Sequence, residues 1–203
     1  MGYFYVTLMG YLLGCSNMAY WLSLINHVDI RKNGSGNLGA SNATVLLGWR
    51  AGVIVAVHDI GKAVLAVCLA KWMFPELQYA AATAGVATVM GHIFPFYLKF
   101  KGGKGLASFL GAVAMLNWKV GLAMVILLVL ITLVTDFIAL GTISVSVIAP
   151  VGIWLMTGKF VVPLILCVAT VVMVCKHMEN VRRIYNRTEI GLRSTAKGEN
   201  RMK

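Results

Sequence analysis

Residues 120–137 read VGLAMVILLVLITLVTDF, an apolar stretch without a charge before Asp136. A helix on the surface of a soluble domain breaks such a run with a polar face on every turn. Roughly 20 apolar residues in succession instead match the hydrocarbon core of a bilayer. Read outward, the same pattern recurs at residues 3–25, 49–74, 77–98, 106–118, 138–157 and 160–175. The fourth of these runs, 106–118, is too short for a full crossing, so it is expected to be tilted, re-entrant or recessed from one face. Composition agrees with the pattern: 12% of the 203 residues are charged, against about 25% in a soluble domain. Mean hydropathy is +0.81. An ordinary soluble enzyme and a disordered chain are both excluded. The expected fold is all-α: a polytopic integral membrane protein with seven transmembrane helices, forming a single domain over residues 1–203.

The formal net charge is +11, from 18 Lys and Arg against 7 Asp and Glu. In a soluble protein this would suggest nucleic acid. In a membrane protein it reads as basic loops on the cytoplasmic side, with no nucleic-acid partner. With the N-terminus outside, seven crossings put Arg31, Lys32, Arg50, Lys99, Lys101, Lys104 and the tail cations from Lys176 to Lys203 inside. Only Lys71, Lys119 and Lys159 then lie outside, and Lys62 falls within a span. That asymmetry selects N-terminus out and C-terminus cytoplasmic. It brings the loops at 26–49 and 99–105 and the tail at 176–203 to one face. No Lys or Arg precedes Arg31, so the first run is read as a retained helix, not a cleaved leader. Cys15, Cys68, Cys167 and Cys175 lie in apolar stretches without a CxxC pair and are read as small buried hydrophobes. No metal-ligand cluster is evident; neither a metal nor a cofactor is expected.

Three polar constellations interrupt the apolar runs. In Asn33-Gly34-Ser35-Gly36-Asn37-Leu38-Gly39-Ala40-Ser41-Asn42, three glycines in six residues let successive N–H groups turn toward one point, making an anion nest. Ser35, Asn37, Ser41 and Asn42 add donors, and the helix that follows offers its N-terminus. A plain flexible loop with an N-cap accounts for the same residues. The second constellation runs from Gly91-His92-Ile93-Phe94-Pro95 to Lys99-Phe100-Lys101-Gly102-Gly103-Lys104-Gly105. Its glycines allow close approach to a phosphate, and Lys104 supplies a point charge; Lys99 and Lys101 read as snorkelling side chains. His92, near the membrane face, is either a structural hydrogen-bonder or a ligand contact. In the third, His177 and Asn180 share a face if the last run continues as a helix, with Arg183 one turn on. A basic helix end with a solvated tail is the alternative. Asp59 and Lys62, at i and i+3 within a span, are functional candidates or a structural ion pair.

Taken together, Gly34-Ser35-Gly36-Asn37-x-Gly39-Ala40-Ser41-Asn42, Gly91-His92-x-Phe94-Pro95 with Lys101-Gly102-Gly103-Lys104-Gly105, and His177-x-x-Asn180-x-x-Arg183 resemble the three motifs of the bacterial PlsY family, the acyl-phosphate:glycerol-3-phosphate acyltransferases. Tyr11-Leu12-Leu13-Gly14 and Asp59-x-x-Lys62 also look like family features. The resemblance covers most of the chain. It implies a seven-helix enzyme of the bacterial plasma membrane that transfers a fatty acyl group from acyl phosphate to the 1-hydroxyl of glycerol 3-phosphate, giving 1-acylglycerol 3-phosphate. It implies Ser35, Lys104, His177 and Asn180 as catalytic. It implies Gly34, Gly36, Asn37, Gly39, Ser41, Asn42, His92, Gly102, Gly103, Gly105, Arg183 and Glu189 as substrate-binding. Functional coupling to an enzyme that makes acyl phosphate is a further implication. Acyl phosphate is already activated, so no covalent nucleophile is needed, and neither a Ser/His/Asp nor a Cys/His triad is evident. A substrate phosphate can itself take the hydroxyl proton.

The chain departs from the family pattern at several positions. Ser41 and Ser108 stand where Thr is usual, Val45 where Arg is usual, Arg187 for a Gly and Gly191 for a Lys, and Cys15-Ser16-Asn17 replaces a Ser-Ile-Pro stretch. Val45 and Gly191 favour a second reading, an acyltransferase with a different phosphorylated acceptor. A small anion transporter, motivated by His58, Asp59 and Lys62, is a third; it lacks the paired broken halves common in transporters. A scaffold without activity is a fourth.

Overall fold

The computed structural model describes residues 1–193. Its helices are α1 (Gly2–Cys15), α2 (Met18–Ile25), α3 (Ala40–Leu47), α4 (Trp49–Met73), α5 (Ala80–Ile93), α6 (Leu106–Leu116), α7 (Trp118–Thr135), α8 (Ile138–Thr157) and α9 (Val161–Tyr185), with a 3-10 turn at Phe96–Leu98. Among the described residues there is no strand. Six segments are long and apolar enough to cross a membrane: Gly2–Ile25, Trp49–Met73, Ala80–Leu98, Trp118–Thr135, Ile138–Thr157 and Val161–Tyr185. The seventh expected crossing is α6, an apolar helix of 11 residues.

Five helices make the main core, α7 contributing Val120 and Met124. Val89 and Ile93 of α5, Phe109 and Val113 of α6, Val145, Ala149 and Ile153 of α8, and Leu166, Ala169 and Met173 of α9 pack together and are buried. The outer faces are equally apolar. On α7, Val125, Ile126, Val129, Leu130, Leu133 and Val134 all point outward, as expected where the surrounding medium is lipid. In lipid, close helix packing rests on small residues. The α1–α5 contact is built that way: a Cβ at Gly14 would strike the Thr88 backbone, and one at Gly91 the Tyr11 carbonyl.

The first run is not one helix. It breaks at Ser16-Asn17, where Asn17 caps α2 by accepting from the Tyr20 N–H at 2.9 Å. The break frees carbonyls that lipid cannot satisfy, and side chains from elsewhere reach them. Tyr97 Oη donates to Cys15 O (2.9 Å) and Lys62 Nζ to Ser16 O (2.7 Å). Sequence periodicity over residues 3–25 is continuous across this point, so the interruption was not visible in it.

Three further expectations are corrected. The loop at 26–49 contains a separate helix, α3, so the helix N-terminus facing the first motif belongs to Ala40 and not to the run beginning at Trp49. The expected tail begins later than 176, because α9 continues through the basic stretch to Tyr185. Its last part, 194–203 with Lys197, Arg201 and Lys203, lies outside the described residues. Of the cysteines only Cys15 is buried; Cys68, Cys167 and Cys175 are exposed on the outer faces. Small apolar side chains are as well placed against lipid as in a core.

Candidate active site

Three helix starts converge on one cavity of 390 Å³. The first is α3: Gly39 caps it with extended backbone, and Ala40, Ser41 and Asn42 line the cavity. The second is α6, whose cap Gly105 has φ +94, with Leu106 and Ala107 on the wall. The third is α8, contributing Ile138, Ala139 and Thr142. The first N–H groups of a helix have no intrahelical partner, and each start carries partial positive charge. An anion in this cavity is therefore met by backbone dipoles before any side chain is counted.

The first motif is folded by Asn42. Its Oδ1 accepts from the Ser35 N–H (3.0 Å), and its Nδ2 donates to Ile30 O (3.1 Å) and Asn33 O (3.2 Å). Gly34 and Gly36 turn the chain with φ +60 and +67. The Gly36 N–H donates to Asn33 O. The expected nest of free N–H groups at 34–36 is thus partly used within the loop, and the Asn42 amide builds the loop. The start of α3 is the part of this motif that faces the cavity. Ser35, Asn37 and Ser41 line the cavity, and both serines are exposed to it.

The second motif is likewise divided. Gly102 N–H donates to Ile93 O (3.0 Å) and Gly103 N–H to His92 O (3.1 Å), so these donors fasten the loop to the end of α5. Side chains are excluded there: a Cβ at Gly102 would overlap His92 O, and one at Gly103 the His92 ring. Lys104 and Gly105 do reach the cavity. Lys104 Nζ donates to Asn180 Oδ1 on α9. Burial holds the Lys104 ammonium below the usual lysine range, and the neighbouring Arg183 guanidinium pushes the same way.

From α9, His177 and Asn180 are buried and line the cavity. His177 Nδ1 lies 2.7 Å from Met173 O. A carbonyl only accepts, so Nδ1 carries the proton, and neutral His177 offers a lone pair at Nε2. Asn180 Nδ2 donates to Glu189 Oε1 (2.5 Å), which leaves its Oδ1 turned to Lys104. Arg183 is not on the cavity wall. It pairs with Glu189 Oε2 (2.6 Å) and Glu179 Oε1 (3.2 Å). Glu189 is on the wall, tied to α9 through both partners.

Residues 189–192 form a strap along the cavity edge. It is clasped to Asp136, the left-handed cap of α7. Asp136 O accepts from Leu192 N (2.9 Å) and Asp136 Oδ1 from Arg193 N (2.8 Å). A Cβ at Gly191 would meet the Asp136 carboxylate, so a side chain there requires that carboxylate to move.

Beneath the cavity lies a buried polar cluster. Asp59 Oδ1 sits 2.8 Å from Lys62 Nζ and 3.4 Å from both His58 Nδ1 and His92 Nδ1. Ser108 Oγ donates to Asp59 O (3.0 Å), tying α6 to α4. Asp59 and His92 form the cavity floor. Sequence reasoning missed Thr44, Thr142 and Ile190 as wall residues. Thr142 sits in an apolar run with no local signal, and Ile190 reaches the site only because the strap folds back.

No cluster of His, Cys, Asp and Glu able to hold a metal occurs among the described residues.

The glycerol-3-phosphate acyltransferase family model matches residues 4–187. A protein named glycerol-3-phosphate acyltransferase 1 from Oceanobacillus iheyensis is 32% identical over 202 residues, covering 96% of this chain and 97% of its own. A glycerol-3-phosphate acyltransferase from Thermoanaerobacter pseudethanolicus is 36% identical over 186 residues, covering 90% and 91%. Two crystal structures of PlsY, an integral membrane glycerol 3-phosphate acyltransferase, are similar in fold. Its glycerol 3-phosphate form has a TM-score of 0.88 at 28% identity, covering 95% of this chain and 96% of that one. Its lysophosphatidic acid form has a TM-score of 0.85 at 28% identity, covering 94% and 95%.

Proposed function

This chain belongs to the glycerol-3-phosphate acyltransferase family, and from that membership we propose how its cavity carries out the transfer and in what setting. The protein is an acyltransferase that moves a fatty acyl group onto glycerol 3-phosphate. This displaces the anion-transporter and inactive-scaffold readings of the sequence. The acyl donor in our reading is acyl phosphate. The observation that carries it is the convergence of the α3, α6 and α8 starts with Lys104 on one cavity. Two phosphate groups, one from each substrate, can be held there largely by backbone dipoles.

The acceptor hydroxyl oxygen attacks the acyl carbonyl carbon. The bond from that carbon to the phosphate oxygen breaks, and inorganic phosphate leaves with its electron pair. The hydroxyl proton passes to a phosphate oxygen. Neutral His177, with its lone pair at Nε2, accepts the hydroxyl hydrogen bond and so orients the acceptor; it does not donate to the carbonyl. Lys104 leaves Asn180 to meet a phosphate, and Ser35, Asn37 and Ser41 add donors at the α3 start. Gly34, Gly36, Gly39, Gly102, Gly103 and Gly105 shape the two loops, Asn42 braces the first, and Arg183 and Glu189 hold Asn180. No covalent acyl-enzyme is formed. Catalysis rests on positioning and on preorganised dipoles facing developing charge.

The setting is read as seven crossings, with α1 and α2 together as the first and α6 as a short fourth. The N-terminus is outside and the cavity cytoplasmic, in the plasma membrane of a bacterium, and residues 1–203 form one domain. The distribution of Lys and Arg supports this orientation. Functional coupling to an enzyme that produces acyl phosphate follows from the lability of that donor.

Val45 lines the cavity where the family pattern has Arg, which favours a second acceptor, another phosphorylated polyol. The test is acyl transfer by purified protein in lipid. Palmitoyl phosphate and palmitoyl-CoA are compared as donors, and labelled glycerol 3-phosphate and other phosphorylated polyols as acceptors. Product from palmitoyl phosphate alone is expected. Product from palmitoyl-CoA alone would overturn the donor assignment.

A further inference from the structure

The ammonium of Lys62 has three hydrogens, and the structure provides three acceptors around it: Ser16 O at 2.7 Å, Asp59 Oδ1 at 2.8 Å and His92 Nδ1 at 2.9 Å. Lys has donors only, so His92 Nδ1 is the acceptor in the third contact. The alternative, an Nδ1–H bond from His92 to Asp59, spans 3.4 Å, beyond the usual range for N–H···O. The shorter contact decides. Neutral His92 then carries its proton on Nε2. His58 braces the same cluster, its Nε2 lying 2.8 Å from Ser16 Oγ.

The Nε2 edge of His92 lies where Gly103 has no side chain, because a Cβ there would meet Nε2 and Cε1. His92 is 3% exposed, and that exposure opens on the cavity floor. No acceptor among the described residues takes the Nε2 hydrogen. Nε2 is not an orphaned buried atom, because the residue opens on the cavity, and its hydrogen is therefore free for a ligand held there. His177, which also lines the cavity, has the reverse tautomer and offers a lone pair.

We infer that His92 donates its Nε2–H to a phosphoryl oxygen of a bound substrate, and that Lys62 and Asp59 are positioning residues that fix this tautomer. The inference rests on the acyltransferase reading for its ligand but not for its tautomer. A neutral donor adds a hydrogen bond to phosphate without adding charge to the protein interior, where an imidazolium would face the Lys62 ammonium.

The test is solid-state NMR of the full chain in bilayers with 15N-labelled histidine, the His92 signals being identified by their loss in His92→Gln. Without ligand, a protonated Nε2 and a bare Nδ1 are expected at His92; a bare or doubly protonated pattern overturns the tautomer. In Lys62→Met the proton is expected to move to Nδ1, toward Asp59. If that variant keeps its fold and the Nε2 proton, the positioning role fails; if it does not fold, the wild-type spectrum still decides the tautomer. Glycerol 3-phosphate and palmitoyl phosphonate are then added separately. A shift of Nε2–H with one of them identifies which substrate's phosphate it meets, and no shift with either overturns the phosphate assignment. In kinetics His92→Leu is expected to lose roughly 10- to 100-fold in kcat/KM, as for one hydrogen bond to a charged group. His92→Gln, whose amide N–H occupies a similar place, is expected to recover about tenfold of that loss. Equal losses in the two variants contradict a donor role. Folded wild-type protein with the expected tautomer and no acyl transfer would instead remove the acyltransferase reading and leave the tautomer standing.

Discussion

Replacing Lys104 with Met removes the charge at the α6 start and retains most of the side-chain volume. In the protein without substrate, Lys104 Nζ donates to Asn180 Oδ1, so phosphate binding exchanges one acceptor for another. Two unit charges about 4 Å apart interact by ~4 kcal/mol at an effective dielectric of about 20, and by ~1 kcal/mol in water. Lys104 is half-buried at the cavity wall, between those limits, and a phosphate carries nearly two charges, which brings the interaction to about 3–4 kcal/mol. Subtracting ~1 kcal/mol for the Asn180 contact given up leaves about 2–3 kcal/mol at the bound phosphate. That corresponds to a fall of roughly 30- to 150-fold in kcat/KM. Lys104→Arg keeps the charge in a wider head and is expected to lose less than about tenfold. The assay is transfer to labelled glycerol 3-phosphate in lipid nanodiscs, with each substrate varied in turn to divide the loss between KM values and kcat. A thermal scan controls for folding, since Asn180 loses a donor in the variant. Folded Lys104→Met within threefold of wild type would refute the assignment of this residue to phosphate and with it the weight given to charge in the cavity.

Because burial and Arg183 lower the Lys104 pKa, the ammonium loses its proton on the alkaline side earlier than an ordinary lysine. Phosphate affinity should therefore weaken as pH rises through that lowered value, and Lys104→Arg should carry the alkaline limb of kcat/KM upward; an unmoved limb assigns it to another group. In Gly103→Ala the new Cβ would lie 2.7 Å from His92 Cε1 and 2.9 Å from Leu38 O, so we expect a loss of about 1–3 kcal/mol in stability and at least tenfold in kcat/KM; wild-type behaviour in both would show that the loop yields freely. Val45→Arg places a guanidinium on the cavity wall and should lower the glycerol 3-phosphate KM several-fold, with the gain shrinking as salt is raised; an unchanged KM means the position does not face the acceptor. Asp136→Gly removes the clasp on Arg193 without a left-handed penalty, φ there being +72, and should speed tryptic cleavage after Arg187 several-fold; an unchanged cleavage rate shows that the strap is held elsewhere.

The apolar runs located most of the long helices to within a few residues because length and hydrophobicity alone set a crossing; the exception is α9, whose basic end carries it on to Tyr185. Run 138–157 coincides with α8. What periodicity did not carry was every feature made by a tertiary contact. The break at Ser16-Asn17 exists because Lys62 and Tyr97 reach its carbonyls from other helices. Helix α3 rises out of a glycine-rich segment that propensity scores as loop. At the site, Lys104, His177 and Asn180 were legible because charge, imidazole and amide stand out against an apolar background, and the structure brings all three to one cavity. The glycines were legible as a group, but their separate roles were not. Those at 102 and 103 spend their N–H groups on α5, while those at 39 and 105 cap helices that face the cavity. Asp59 and Lys62 were readable as a pair at i and i+3, and they form one at 2.8 Å. Their link to His92 was not readable, since 30 residues separate Lys62 from it.

Helix α6 has 11 residues, a length of about 16 Å at 1.5 Å per residue, against roughly 30 Å of hydrocarbon. Its first residues line the cavity, so in the seven-crossing arrangement proposed above the anion-holding end of the pocket is expected below the plane of the lipid headgroups. The two substrates then arrive by different routes and are counted in different units. The water-soluble acceptor descends from bulk solution, and its relevant quantity is molarity. An acyl phosphate donor, as proposed above, would diffuse sideways within the leaflet, and its relevant quantity would be mole fraction among lipids. Inert lipid added at constant total donor would dilute one substrate and leave the other unchanged, so with that donor the turnover of this protein would be a property of the membrane's composition as much as of its contents.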